Sequence, residues 1–201
     1  MRPEEVLQHF RKTGALLEGH FQLSSGLHSS TYLQCALALQ EPMDAARFGA
    51  AIADKFSGRE IETVVAPAIG GLIIGYETAR HLEARFIWTE RENGAMTLRR
   101  GFELHEDERI LIVEDVITTG GSTRETITAI ATYGANVLAA ASIIDRSNGK
   151  ADVGVPRIAL ATLNVPSYET NVCPNCERGE TAIKPGSRTV QSPKSKSPKS
   201  F

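Results

Sequence analysis

Four consecutive branched apolar residues, Ile110-Leu111-Ile112-Val113, run directly into Glu114-Asp115 and then into Val116-Ile117-Thr118-Thr119-Gly120-Gly121-Ser122. An apolar run this short, bounded by charge and glycine, reads as a strand buried on both faces. The two acids are expected to end it. A turn of small and hydroxyl-bearing residues then leads into helical spacing over 122–133. Strand, small-residue turn and helix in that order define a unit of a parallel α/β sheet, and the turn has chemical uses of its own. Its backbone N–H groups and hydroxyls can converge on a phosphate, and a helix N-terminus adds partial positive charge. The acids can accept hydrogen bonds from sugar hydroxyls or hold a hydrated magnesium ion. The plainer reading is a solvated strand end followed by a capped turn, but the full combination favours the ligand.

The same order recurs along the chain. Residues 3–13 carry Val6, Leu7 and Phe10 at helical spacing, 16–35 read as two short strands around a polar turn, and 42–57 return to helical spacing behind Pro42. An apolar run, Thr63-Val64-Val65-Ala66, stops at Pro67 and is followed by Gly70-Gly71 and a helix to about His81. Strands are expected over 85–89, 109–113, 137–145 and 158–163, the last being the final one, with a charged excursion from the sheet over 90–108. Alternation of this kind predicts a parallel sheet covered on both faces, with ligands beyond the carboxyl ends of the strands. The turns at 66–71, 89–101, 114–122 and 145–149 would then share one rim. Residues 1–186 form the folded domain in this reading. The Ser-, Pro- and Lys-rich stretch 187–201 cannot bury a core and is expected to be a disordered tail.

Composition excludes several classes. With 201 residues and 41 % apolar content, the chain has material for one domain with a real core. It has no apolar run near the ~18 residues of a spanning helix, and its first ten residues lack a secretory core, so a cytoplasmic protein without membrane contact is expected. A net charge of -2, with no basic face before the tail, argues against nucleic acid as partner.

The segment ILIVEDVITTGGS resembles the phosphoribosyl-diphosphate motif of the type I phosphoribosyltransferases. FQLSSGLHSSTYLQC (21–35) is similar to the N-terminal hood of the orotate-specific members, VVAPAIGG (64–71) to their diphosphate turn, RENGAMTLRRGFEL (91–104) to their mobile loop, and SIIDRSNG (142–149) to the segment whose arginine faces the substrate carboxylate. Over residues 3–186 the chain looks closest to the shorter bacterial and archaeal branch. The resemblance implies a type I phosphoribosyltransferase fold, a parallel central sheet flanked by helices with a small hood, mainly 1–40 plus a C-terminal segment.

It also implies an activity: transfer of phosphoribosyl from 5-phosphoribosyl 1-diphosphate to orotate, giving orotidine 5-phosphate in pyrimidine biosynthesis. Glu114 and Asp115 would contact the ribose hydroxyls, and Val116, Ile117, Thr118, Thr119, Gly120, Gly121 and Ser122 would line the donor site, the last five around its 5-phosphate. Arg146 and the Thr118 position would contact orotate. Arg91, Arg99 and Arg100 would serve the leaving diphosphate from a lid that a homodimer partner shares. Magnesium would be held mainly by the substrate rather than by direct protein ligation. Rival activities are transfer to a purine, for which a carboxylate-binding Arg146 has no use, and donor sensing by a regulator of the same fold. The chain departs from the common pattern in having Glu114 for aspartate, Ser24 for lysine, Ile69-Gly70 for Tyr-Lys, and loop arginines for lysines.

Cys173-Pro174-Asn175-Cys176 has the spacing of half a zinc site, whose other half would need Cys35, a histidine or a second subunit. Two unmetalled thiols in a turn, or a redox pair, fit the same four residues. His9, His20, His28, His81 and His105 are scattered and read as surface or capping residues, and Phe86 and Trp88 as core.

Overall fold

The computed structural model describes residues 1–23 and 26–185. Ser24 and the stretch 187–201 lie outside the described residues. The chain divides into two compact units, one formed by 1–17 and 33–165, the other by 18–32 and 166 onward. Helix α1 (Pro3–Lys12) thus belongs to the larger unit, together with α2 (Cys35–Ala38).

The larger unit is built on a six-stranded sheet. In chain order its strands are β3 (Thr63–Pro67), β4 (Arg85–Glu92), β5 (Ala95–Leu98), β6 (Arg109–Ile117), β7 (Asn136–Asp145) and β8 (Arg157–Thr162), arranged β5-β4-β3-β6-β7-β8. All neighbours run parallel except β4 and β5. The central strands are apolar throughout because both faces are covered. Along β6, Leu111 and Val113 face a cluster that includes Phe10, Phe48, Ile52 and Ile74 from α1, α3 (Pro42–Ala53) and α4 (Gly71–Leu82). Ile110 and Ile112 face the opposite cluster, with Ile130 of α5 (Gly121–Ala131). This alternation is the period-two pattern of a strand. Each fully buried Ile or Leu side chain contributes about 1.5–3 kcal/mol.

Three expectations are corrected. First, the acid pair does not end its strand: β6 continues through Glu114 and Asp115 to Ile117, because Glu114, Val116 and Ile117 keep parallel register with Ser142, Ile144 and Asp145. Second, 90–98 is not an excursion. Strand β4 runs on to Glu92, and Asn93-Gly94, both at positive φ, form the tight turn that pairs it with β5. That dipeptide is a hairpin signal, since a two-residue loop needs left-handed backbone. Third, β8 is not the last strand; β9 (Ser167–Tyr168) follows in the smaller unit.

The smaller unit contains a three-stranded sheet of order β1-β2-β9, with β1 at Leu16–Gln22 and β2 at His28–Leu33. Strand β2 pairs antiparallel with β9, His28 opposite Tyr168. After a short helix α6 (Pro174–Glu177), Ile183 returns beside Phe21, donating to the His20 carbonyl at 2.8 Å and accepting from the Gln22 amide at 2.8 Å. No helix among the described residues is long and apolar enough to cross a membrane.

Candidate active site at the carboxyl rim of the sheet

The ends of β3, β6 and β7 converge on one rim of the larger unit. At the end of β6, Glu114 is 8 % exposed and its Oε2 accepts the Thr123 hydroxyl at 2.6 Å. Burial pushes its carboxyl up to about 7, against that hydrogen bond, and neighbouring Asp115 adds to the rise. Asp115 is likewise pushed up by burial, although its Oδ1 accepts the Val116 amide at 2.8 Å. The two acids are therefore held at a cost. Buried carboxylates without full compensation mark places where charge is to be met by something else.

The turn behind them is shaped for an anion. Gly120, at the N-cap of α5, has φ +76, and a Cβ there would lie 2.7 Å from Val153. A glycine at this position supplies no side chain to cap the helix, so the first-turn amides of α5 are left for a ligand. Arg124 braces the turn, its Nη1 donating to the carbonyls of Thr119 at 3.0 Å and Asp152 at 2.5 Å.

The turn after β3 packs directly against these acids. At Gly70, the N-cap of α4, a Cβ would stand 2.7 Å from Asp115 Oδ1. Only a residue without a side chain admits this approach. The Ala68–Ile69 peptide within the turn is cis.

Arg146 arrives from the end of β7, its amide donating to the Ile117 carbonyl at 2.8 Å. Its guanidinium is held close to the Cys35 thiol. Burial raises the pKa of that thiol, the Asp115 carboxylate adds to the rise, and Arg146 pulls it down. Asp115, Cys35 and Arg146 are thus neighbours. The turn carrying Arg146 is braced by Asp145, 2 % exposed, which accepts from the Ser147 amide and hydroxyl at 2.7 and 2.6 Å, the Gly149 amide at 2.9 Å and Arg157 at 3.0 Å. Burial works against that charge, but these donors hold the carboxyl below its ordinary value.

The structure therefore brings residues 114–122 and Arg146 together. The three loop arginines sit on the β4–β5 hairpin or just after it, each ion-paired: Arg91 with Glu125 at 2.6 Å, Arg99 with Glu92 at 3.3 Å, Arg100 with Glu90 at 2.9 Å. Reading the sequence overlooked Thr123, Asp145 and Arg157, and weighed Cys35 only as a partner for the CxxC pair, whereas it lies beside Asp115 and Arg146. Nothing in their spacing marks them, since each acts on a residue far away in sequence or through a neighbour. Phe86 and Trp88 are half-buried rather than core: Tyr76 and Phe102 cover them edge-on, and beside Leu72 and Ile73 they line an apolar groove.

A mostly parallel sheet with an acid pair and an uncapped glycine turn at its carboxyl rim is the architecture of the type I phosphoribosyltransferases. The family model described as phosphoribosyl transferase domain matches residues 39–158. The orotate phosphoribosyltransferase of Aeropyrum pernix superposes with a TM-score of 0.67 at 26 % identity, covering 79 % of this chain and 93 % of that one. The adenine phosphoribosyltransferase of Rhodothermus marinus shares the fold alone, with a TM-score of 0.61 at 22 % identity over 80 % of this chain and 99 % of that one. Among relatives by sequence, the orotate phosphoribosyltransferase of Thermotoga maritima is 51 % identical over 188 residues, 94 % of this chain and 99 % of that protein. That of Desulforamulus reducens is 47 % identical over 190 residues, 94 % of this chain and all of its own length. The chain belongs to the orotate phosphoribosyltransferase family.

Proposed function

We propose that the rim is the active site at which this protein transfers the phosphoribosyl group of 5-phosphoribosyl 1-diphosphate to N1 of orotate. The observation that carries the reading is the meeting of three groups. An acid pair, Glu114 buried and Asp115 half-buried, a glycine turn at a helix N-terminus and an arginine lie within one unit, Arg146 being tied by its own amide to the strand that bears the acids. In the reaction the bond from C1 of the ribose to diphosphate breaks, its electron pair leaving with the diphosphate. N1 of orotate makes the new bond to C1 and gives up its proton to solvent, and cation character at C1 precedes full bond formation.

The protein's work is mainly alignment and electrostatics. Glu114 and Asp115 accept hydrogen bonds from the ribose 2- and 3-hydroxyls. The turn from Thr118 to Ser122 receives the 5-phosphate on its backbone amides and hydroxyls. Arg146 forms a charge-assisted pair with the orotate carboxylate, a contact a purine lacks. Two adjacent carboxylates that burial disfavours as anions are a donor set suited to a hard divalent cation, so magnesium would fit here, with Glu114 and Asp115 as the residues that would hold it on the protein side. When bound, it neutralises charge on the departing diphosphate.

The lid function of Arg91, Arg99 and Arg100 requires them to exchange glutamate partners for diphosphate oxygens. Their ion pairs are half-exposed, and such pairs are worth only ~0–1 kcal/mol, so the exchange costs little. We read the working form as a cytoplasmic homodimer. Supporting this, α4 presents Ile73 at 48 % and Tyr76 at 57 % exposure beside the groove floored by Phe86 and Trp88, an apolar face suited to a second copy.

The test is a panel of bases with the donor and magnesium. Consumption of orotate, dependent on both, is expected. A purine accepted at comparable rate would overturn the substrate assignment.

A further inference from the structure

The smaller unit has a buried centre of unusual composition. Its buried residues, among those described, are His20, Phe21, His28, Ser29, Cys173 and Asn175. Apart from Cys173, only Phe21 is apolar. A unit this small cannot reach stability by burying one aromatic ring, and small domains with too little core are fastened by disulfides or by metal. At its centre four ligand atoms converge, all within 4.8 Å of one another: one nitrogen each from His20 and His28, and the sulfurs of Cys173 and Cys176.

The four side chains crowd around one centre. His20 Nε2 lies 2.8 Å from His28 Nδ1, 3.4 Å from Cys173 Sγ and 3.7 Å from Cys176 Sγ, and Cys176 Sγ lies 3.2 Å from His28 Nδ1. Zinc bonds of ~2.0–2.1 Å to nitrogen and ~2.3 Å to sulfur place tetrahedral ligand atoms roughly 3.3–3.8 Å apart. The two His20–sulfur distances lie in that range, and the two contacts of His28 Nδ1 are shorter, so His28 would move outward to admit the ion. The tautomer is also set for ligation. His20 Nδ1 is 2.9 Å from the Glu180 carbonyl, which can only accept, so this nitrogen carries the proton and Nε2 turns its lone pair inward. A ligating histidine whose other nitrogen donates to a backbone carbonyl is the usual outer-shell arrangement at metal sites. His28 directs its other nitrogen to the Thr170 hydroxyl at 3.4 Å.

We propose that His20, His28, Cys173 and Cys176 form a structural zinc site that closes the smaller unit. Two thiolates and two imidazoles select zinc among the common divalent ions, and four protein ligands leave no open position for catalysis. Two thiolates also neutralise the ion, so the buried site carries no net charge. The ligands come from two segments about 150 residues apart: the β1–β2 hairpin contributes the histidines and the α6 turn the cysteines. The metal therefore staples the C-terminal segment to the hairpin.

The experiment uses the full chain, purified without chelator. Elemental analysis is expected to find about one zinc per chain. After zinc is stripped and replaced by cobalt(II), the spectrum should carry thiolate-to-metal charge transfer and the intense visible bands of four-coordination. Cys173→Ser with Cys176→Ser should abolish both, and His28→Ala should weaken binding at least tenfold. Fluorescence of the single tryptophan, Trp88 on β4 in the larger unit, reports whether each variant remains folded there. Stripping zinc should open the segment to trypsin after Arg178, and restoring zinc should close it. Absence of metal from the wild-type chain with no uptake of cobalt overturns the site. So does a Cys173–Cys176 disulfide in the protein as isolated, or equal metal content in the double cysteine variant. None of these outcomes bears on transferase activity, so they stand apart from any failure of the activity assay.

Discussion

Glu114→Gln should make the protein more stable and less active, and the gain should depend on pH in a defined way. The Glu114 carboxyl has an ordinary value of 4.5 and is pushed to about 7 by burial at the end of β6. Between those values the folded chain keeps a proton that the unfolded chain has lost. The carboxyl's contribution to stability is therefore fully present below 4.5 and is lost as pH rises through 7. Above 7 a buried charge has to be carried, and the difference between 4.5 and about 7 corresponds to about 3 kcal/mol. Glutamine cannot ionise, and its amide oxygen can still accept the Thr123 hydroxyl that Glu114 Oε2 accepts at 2.6 Å. The substitution should thus be nearly neutral in acid and stabilise by about 3 kcal/mol at pH 8. For a chain of this size that is roughly 6–12 °C in Tm. Urea unfolding followed by Trp88 fluorescence at a series of pH values measures it. A gain that does not change with pH, or a loss at pH 8, would refute the claim that Glu114 is held as a costly buried acid. The same substitution should lower kcat/KM roughly 10- to 150-fold, since a hydrogen bond to a charged group is worth ~1.5–3 kcal/mol.

Arg146→Ala should raise the KM for orotate far more than that for the donor; equal effects would assign the arginine to structure instead. Gly70→Ala would drive a Cβ to within 2.7 Å of Asp115 Oδ1, so donor binding should weaken strongly while the circular dichroism spectrum is unchanged, and full activity would disprove the packing of that turn on the acid. Tyr76→Glu with Ile73→Glu on the exposed face of α4 should convert a dimer to monomers in sedimentation; an unaltered oligomer would put the interface elsewhere. If loops are shared across that dimer, an Arg91/Arg99/Arg100→Ala protein mixed with a Glu114→Gln/Asp115→Asn protein should recover about a quarter of wild-type activity, half of the dimers being mixed with one intact site each. No recovery after proven subunit exchange would show that each subunit uses its own loop.

Much of this protein is legible in local sequence because local rules decide it. The apolar run 110–113 reads as a doubly buried strand, the small residues of 118–122 as a turn into a helix, and the alternation of strands and helices as a parallel sheet. Those are statements about neighbours in the chain, and the acid pair and its phosphate turn are neighbours. Where the strand ends was not a local matter: Glu114 to Ile117 stay in the sheet because β7 offers register to Asp145 on the other side. Nor could the sequence say that Gly70 meets Asp115, that Cys35 and Arg146 share one corner, or that Asp145 braces the turn that presents Arg146. The four possible zinc ligands make the point most sharply. Cys173 and Cys176 announce half a site by their spacing, but His20 and His28 look like any other histidines until the β1–β2 hairpin folds beside the C-terminal segment. Spacing along a chain records only contacts made within a turn or two of backbone. Burial, a raised carboxyl and a four-ligand cluster come from segments that meet across the fold, so tertiary structure alone decided them.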